Sequence, residues 1–256
     1  MILIDTHAHI YSNQFENDES GLVKRALSAG VKKIFMPNIR LESVEPMLEF
    51  SKNYPDVCFP MLGLHPCDVD SGYKEQLDAL YQYFPKEKFW AVGEIGLDYY
   101  HDKTFINEQK DAFHIQINWA IEQKIPISIH SREANDDAIE IVAEYKNKGL
   151  RGVFHCFSGS IEQAQKMIDL GFYLGIGGVA TFKNGGLDKI LPSIGLKHLV
   201  LETDSPYLAP VPFRGKRNEP SYIPLITEKI AEILEISLIE VAEVTTKNAN
   251  KLFNQR

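Results

Sequence analysis

The 256 residues are 44% hydrophobic and 24% charged, which provides for a large buried core and excludes a disordered chain. With 35 acidic against 27 basic residues the formal net charge is -8, which excludes a protein that coats nucleic acid over its whole surface; any such contact must be local. Cys58, Cys67 and Cys156 are odd in number and form no CxxC pair, which excludes a disulfide framework and a zinc ribbon.

In chain order, short apolar runs alternate with stretches of helical periodicity. The expected strands are Ile2–His7, Lys33–Pro37, Val57–Leu64, Trp90–Glu94, Ile127–His130, Gly152–His155, Phe172–Ile176 and His198–Glu202, each mostly apolar because parallel strands are covered on both faces. The clearest helices are Asn107–Gln123, Ala134–Lys148 and Ile161–Leu170, with two more at Ile223–Leu234 and Leu238–Phe253. Gly30, Gly149 and Gly171 each close a helical run shortly before a strand, so the αβ turns are short. The opposite turns carry the His, Asp, Gly and Pro residues: GLHPCD, GEIGLDYYHDKT, HSRE, HCFSGS and the proline-rich Tyr207–Ser221. This alternation predicts a (β/α)8 TIM barrel, one domain over residues 1–256, with its site at the carboxyl ends of the strands. The amino terminus MILIDTHAHI has no basic leader and no run of eighteen apolar residues occurs, so the expectation is a cytoplasmic protein without a membrane partner, with a monomer as the default.

Five of the eight histidines, His7, His9, His65, His130 and His155, fall at the carboxyl ends of predicted strands. His7 and His9 share a strand face at a period of two, which lets two imidazoles hold one metal. Glu94 and Asp204 occupy equivalent strand-end positions and add oxygen donors. Mixed nitrogen and oxygen donors suit Zn2+ or Mn2+ and admit Mg2+. Six ligands exceed what one catalytic ion takes, so the inference is two divalent ions about 3.5–4 Å apart sharing a carboxylate. Glu94 is the expected bridge, with His7, His9 and Asp204 on one ion and His130 and His155 on the other.

In this order, DTHAH, GLHP, GEIGLDYY, HSR, HCFSG and ETDSPYLAPVPFRGKRNEP resemble the TatD family of metal-dependent deoxyribonucleases, over almost the whole chain. The resemblance implies a TIM barrel, divalent metals, and hydrolysis of DNA phosphodiesters, commonly from the 3′ end. It implies metal ligands at the matching positions, His7, His9, Glu94, His130, His155 and Asp204. Catalysis would rest on a metal-activated water, with Glu94 and Asp204 as catalytic carboxylates and Asp204 orienting that water or taking its proton.

Other residues near the motifs receive binding roles. His65 is left over from the ligand count and is assigned to the substrate phosphate. Glu202, two residues before Asp204, reads as a support behind the ligands or as a further metal or water ligand, against a buried salt-bridge residue. Arg132 and the basic cluster Arg214, Lys216 and Arg217 are expected to bind phosphates of DNA, single strands or 3′ ends. Tyr99, Tyr100 and Phe157 could stack on bases or pack the loops. His101, His114 and His198 are expected to be surface or structural residues, and alternation is expected to turn Cys156 away from His155. The competing functions are a small-molecule amidohydrolase or lactonase on the same barrel, another nucleic-acid ester as substrate, and a non-catalytic binding protein.

Overall fold

The structure is a computed structural model and describes residues 1–253. Eight parallel strands alternate with helices among those residues. The strands are β1 (Leu3–Asp5), β2 (Val31–Pro37), β3 (Cys58–Met61), β4 (Val92–Asp98), β5 (Ile127–Arg132), β6 (Gly152–Phe154), β7 (Tyr173–Ile176) and β8 (Leu199–Leu201). The helices are α1 (Glu19–Ser28), α2 (Val44–Asn53), α3 (Tyr73–Tyr81), α4 (Ile106–Gln123), α5 (Asn135–Ala143), α6 (Ile161–Asp169), α7 (Leu187–Ile194), α8 (Ile223–Leu234) and α9 (Leu238–Phe253).

Regular ladders join β1-β2-β3 and β4-β5-β6-β7-β8, and backbone hydrogen bonds join these two sheets at both seams. Between β3 and β4, Trp90 N donates to Pro60 O at 3.0 Å and Gly93 N to Leu62 O at 2.9 Å. Between β8 and β1, Thr6 N donates to Leu201 O and Asp204 N to His7 O, both at 2.9 Å. The ring order is therefore sequential, as expected of a TIM barrel. No helix is long and apolar enough to cross a membrane among the described residues.

Strand alternation sorts the core into two sets. Leu3, Ile34, Ile127, Ile129, Leu174 and Leu199 face the helices. Ile4, Phe35, Met61, Val153, Tyr173 and Val200 fill the interior, plugged from below by Leu252 and Phe253 of α9. The Phe253 ring stacks on Phe35 with centroids 3.8 Å apart. The interior parity continues upward from Val153 to His155 and from Val200 to Glu202, which is how an apolar barrel ends in a polar mouth.

The departures from the expected elements are local. β4 runs on to Asp98 and β5 to Arg132 rather than ending at Glu94 and His130. Register slips between Val92 and Ile95, a local irregularity of the kind that redirects a side chain. Gly96 then lets β4 approach β5 closely, since a Cβ there would lie 2.1 Å from His130 O. α5 ends at Ala143, not Lys148, because Tyr145, Lys146 and Lys148 donate three residues back and tighten the last turns. Gly30, Gly149 and Gly171 all take positive φ after their helices.

Candidate metal centre

The carboxyl ends of the strands surround a cleft of about 700 Å3 with His9, His65, Glu94, His130, His155 and Asp204 in its wall. His7 lies beneath them, fully buried. His7 and His9 come just after β1, Glu94 from β4, His130 from β5, His155 one residue after β6 and Asp204 three residues after β8.

Glu94 is the hub of the cluster. Its Oε2 lies 3.2 Å from His7 Nε2 and 3.3 Å from His9 Nε2. Its Oε1 lies 2.7 Å from His155 Nε2, 2.9 Å from His130 Nδ1 and 3.3 Å from His65 Nε2. Asp204 Oδ1 joins the first set, 3.8 and 3.7 Å from the Nε2 atoms of His7 and His9. The two oxygens of one carboxylate therefore face two different groups of donors. His65, assigned from sequence to substrate, stands among the second group.

The far side of three of these rings is held as well, while His155 Nδ1 has no hydrogen-bond partner among the described residues. His7 Nδ1 lies 3.2 Å from Ser128 Oγ, and His9 Nδ1 lies 3.5 Å from the Tyr11 hydroxyl, which itself donates to Pro37 O. His130 Nε2 lies 2.8 Å from Asp98 Oδ2. His155 Nδ1 faces Glu202 Oε1 at 3.7 Å. Rings steered from behind in this way are typical of imidazoles that bind metal. Behind β1 and β8, Asp5 accepts from the backbone N–H of His7 at 3.2 Å and of Thr203 at 3.0 Å, tying the two ligand-bearing ends together. Asp204 takes φ 57°, a left-handed conformation that Asp tolerates better than most side chains.

Electrostatics divide the rings. Burial, reinforced by the charge of His155, lowers His7 far below the ordinary imidazole range. Burial also lowers His65, although the Glu94 charge opposes it. Burial opposes charge on His155 too, but Glu94 and Glu202 outweigh it and raise the ring well above that range. Burial likewise acts against His130, where hydrogen bonds to Asp98 and Glu94 prevail and raise it. Burial would raise Glu94, but the surrounding imidazoles hold it well below the carboxylate range. Burial pushes Asp204 up to about 6, with His155 and His9 opposing. A buried carboxylate held ionised among imidazole nitrogens is a site where a cation fits. The short nitrogen-to-nitrogen approaches, His7 to His9 at 3.3 Å and His130 to His155 at 3.4 Å, point the same way. Three groups of donors within 4.8 Å of one another, His7–His9–Glu94, His65–Glu94–His130 and His7–His155–Asp204, could each hold an ion.

Glu202 is buried behind His155, where its Oε1 accepts the Cys156 N–H and its Oε2 has no hydrogen-bond partner. Gly175 makes room for it, since a Cβ there would lie 2.1 Å from that Oε2. Arg132 lines the cleft, its guanidinium 3.8 Å above the ring of Tyr100. The basic cluster of the long loop lies elsewhere. Arg217 donates to Asp18 Oδ2 at 2.6 Å and Gln14 O at 2.9 Å, and Arg214 packs 4.5 Å over Phe182. Neither they nor Lys216 line the cleft. Arg217 is drawn away to Asp18, a carboxylate it shares with Arg25.

Of the aromatic candidates, Tyr99 is engaged with Asp137 at 2.7 Å and Phe157 is buried, which leaves Tyr100 exposed at the rim. Sequence reasoning missed Tyr207 and Leu208, which are exposed and line the cleft. It also missed Asp98, because β4 was expected to stop at Glu94; four residues apart on one strand is same-face spacing, and that was the available signal. His101 and Cys67 also line the cleft, both of them exposed. Cys156 lies past the end of β6 at φ 46°, so strand alternation does not govern it, and it too lines the cleft.

A sequence profile described as TatD related DNase matches residues 4–254. The chain belongs to the TatD family. It is 39% identical over 253 residues to the uncharacterized metal-dependent hydrolase YabD of Bacillus subtilis, covering 98% of this chain and 99% of that one. It is 33% identical over 257 residues to the 3′-5′ ssDNA/RNA exonuclease TatD of Salmonella typhimurium, covering 98% of each chain. Among solved structures, the TatD homologue YJJV of Escherichia coli superposes with a TM-score of 0.93 at 30% identity, over 99% of this chain and 98% of that one. The shared fold extends over nearly the whole chain.

Proposed function

We propose that this chain is a metal-dependent hydrolase that cleaves phosphodiester bonds in DNA, removing nucleotides from the 3′ end of single strands with two divalent ions held on either side of Glu94. The observation that carries the reading is the divided Glu94 carboxylate, with His7, His9 and Asp204 on the side of one oxygen and His130 and His155 on the side of the other. Bound there, Mg2+, Mn2+ or Zn2+ would lower the pKa of water toward neutrality and neutralise phosphate charge.

The chain's own residues then have distinct tasks. Asp204, whose carboxylate lies beside His7 and His9, would accept the proton of the attacking water. Glu94 holds the two donor sets in register. His65, whose Nδ1 accepts the Cys67 N–H and whose Nε2 therefore carries the proton, and Arg132 hold non-bridging phosphate oxygens from the cleft wall. Tyr100 and Tyr207, 55% and 50% exposed at the rim, offer faces for unpaired bases, which favours single strands. Arg214 and Lys216, beyond the cleft, meet phosphates farther along the strand, whereas Arg217 fastens the loop to Asp18. Glu202 supports His155 from behind. On this reading the protein acts as a cytoplasmic monomer.

The relative named as a 3′-5′ ssDNA/RNA exonuclease supports the choice of substrate and polarity. The test uses metal-stripped protein with DNA and RNA oligonucleotides, single- and double-stranded, labelled at either end, and Mg2+, Mn2+ or Zn2+ restored. Shortening of single strands from the 3′ end, abolished by EDTA, is the expected result. Absence of metal-dependent cleavage under every condition refutes the nuclease reading.

A further inference from the structure

Beside the Glu94 cluster, three side chains form a second group with donor atoms of a different kind. Cys67 sits in the 3-10 turn Pro66–Asp68 after β3, Asp98 ends β4, and His101 follows in the next loop. Cys67 Sγ lies 3.6 Å from His101 Nδ1, which lies 3.0 Å from Asp98 Oδ2. One donor atom from each of the three falls within 4.8 Å of the other two. Cys67 and His101 are exposed along the cleft while Asp98 is fully buried, so the group is anchored on one side and open to solvent on the other.

We propose that Cys67, Asp98 and His101 form a separate cation site for a thiophilic divalent ion such as Zn2+ or Cd2+. A tetrahedral ion with bonds of about 2.0–2.3 Å needs neighbouring donors roughly 3.3–3.5 Å apart, and the two measured spacings bracket that value. Thiolate, imidazole and carboxylate together favour zinc-like ions over Mg2+, which prefers octahedral oxygen. Three protein donors leave the fourth position open toward the cleft. Local backbone bonds already set the donors. Asp98 Oδ1 accepts the N–H groups of Tyr100 and His101, each at 2.9 Å, and the Cys67 N–H donates to His65 Nδ1 at 3.0 Å. Asp98 Oδ2 is also the atom that His130 Nε2 meets at 2.8 Å, so an ion on this site shares a carboxylate with the support of His130.

Sulfur ligation gives a readout that does not depend on nuclease activity or on the oxygen and nitrogen donors around Glu94. Metal-stripped full-length protein is titrated anaerobically with Co2+, and the near-ultraviolet sulfur-to-cobalt charge-transfer band is recorded together with cobalt bound per chain. The band is expected in the wild type, absent in Cys67→Ser with one fewer cobalt bound, and lost or weakened in His101→Ala, while circular dichroism shows all three folded. A wild type without the band, or a band unchanged in Cys67→Ser, overturns the site. Failure of the nuclease reading leaves the band unaffected, so the two outcomes are separable.

Discussion

Nε2 of His130 lies 2.8 Å from Oδ2 of Asp98, while Nδ1 of the same ring lies 2.9 Å from Glu94. Asp98 behind the ring fixes its direction and leaves Nδ1 aimed at Glu94 before any ion arrives. Asp98→Asn removes the charge behind the ring and keeps its size. The expected result is a loss of metal affinity of about 10- to 100-fold, read by competition with a chelating dye, with activity recovering as metal is raised. Wild-type affinity in Asp98→Asn would mean that His130 needs no support.

Glu94→Gln tests the shared carboxylate. The amide keeps one oxygen but presents an uncharged nitrogen to one of the two donor groups. Bound metal per chain, measured by mass spectrometry, is expected to fall by at least one ion. A catalytic ion that contributes about 4 kcal/mol corresponds to roughly a thousandfold in rate, and kcat should fall on that order. An unchanged metal count would remove the bridge from the mechanism.

Arg132 and Tyr100 meet at 3.8 Å on the rim rather than among the donors. Tyr100→Ala is therefore expected to raise KM for single-stranded oligonucleotides by about 1–3 kcal/mol, the usual contribution of a stacked base, with kcat changed much less. Steady-state kinetics on oligonucleotides and on a mononucleotide ester separate the two, because the small substrate has no second base to stack. Equal losses on both substrates would assign Tyr100 to something other than stacking.

The sequence foretold these features unevenly, and for physical reasons. Strand-end histidines were legible because the apolar runs Ile127–Ile129 and Gly152–Phe154 stop where His130 and His155 begin, marking where a barrel opens to solvent. Asp98 was not, since GLDYY looks like a loop until pairing with β5 extends β4 by four residues. The basic loop misled because proximity in sequence to Asp204 does not fix direction. Arg217 turns to Asp18, 199 positions away in the chain, and only the folded chain brings that carboxylate near.

That ion pair has a pH signature. Hydrogen bonds from Arg25 and then Arg217 hold Asp18 down at about 2, below its ordinary 3.8. A carboxyl depressed in the folded state adds stability that is present above the unfolded value and lost as pH falls through the folded one. The melting temperature of Asp18→Asn should therefore lie below wild type near neutrality, with the gap closing as pH drops from about 4 toward about 2. Because the pair is partly solvated, added salt should narrow the gap as well. A gap independent of pH would show that Asp18 acts through packing alone.

Gly175 tests whether the space behind His155 matters to the centre. A Cβ there would lie 2.1 Å from Glu202 Oε2 and 3.0 Å from the Cα of His155, so Gly175→Ala must displace the carboxylate, the imidazole or both. Overpacking of this kind costs about 1–3 kcal/mol, and the displacement should weaken metal binding as well. Gly171→Ala is the matched control: its Cβ meets nothing within 4 Å, and its positive φ alone costs about 1–2 kcal/mol. The two variants are expected to show comparable losses in thermal stability, while only Gly175→Ala loses metal affinity in a titration of folded protein. Equal affinities would mean that Glu202 and His155 can shift together without disturbing the donors around Glu94.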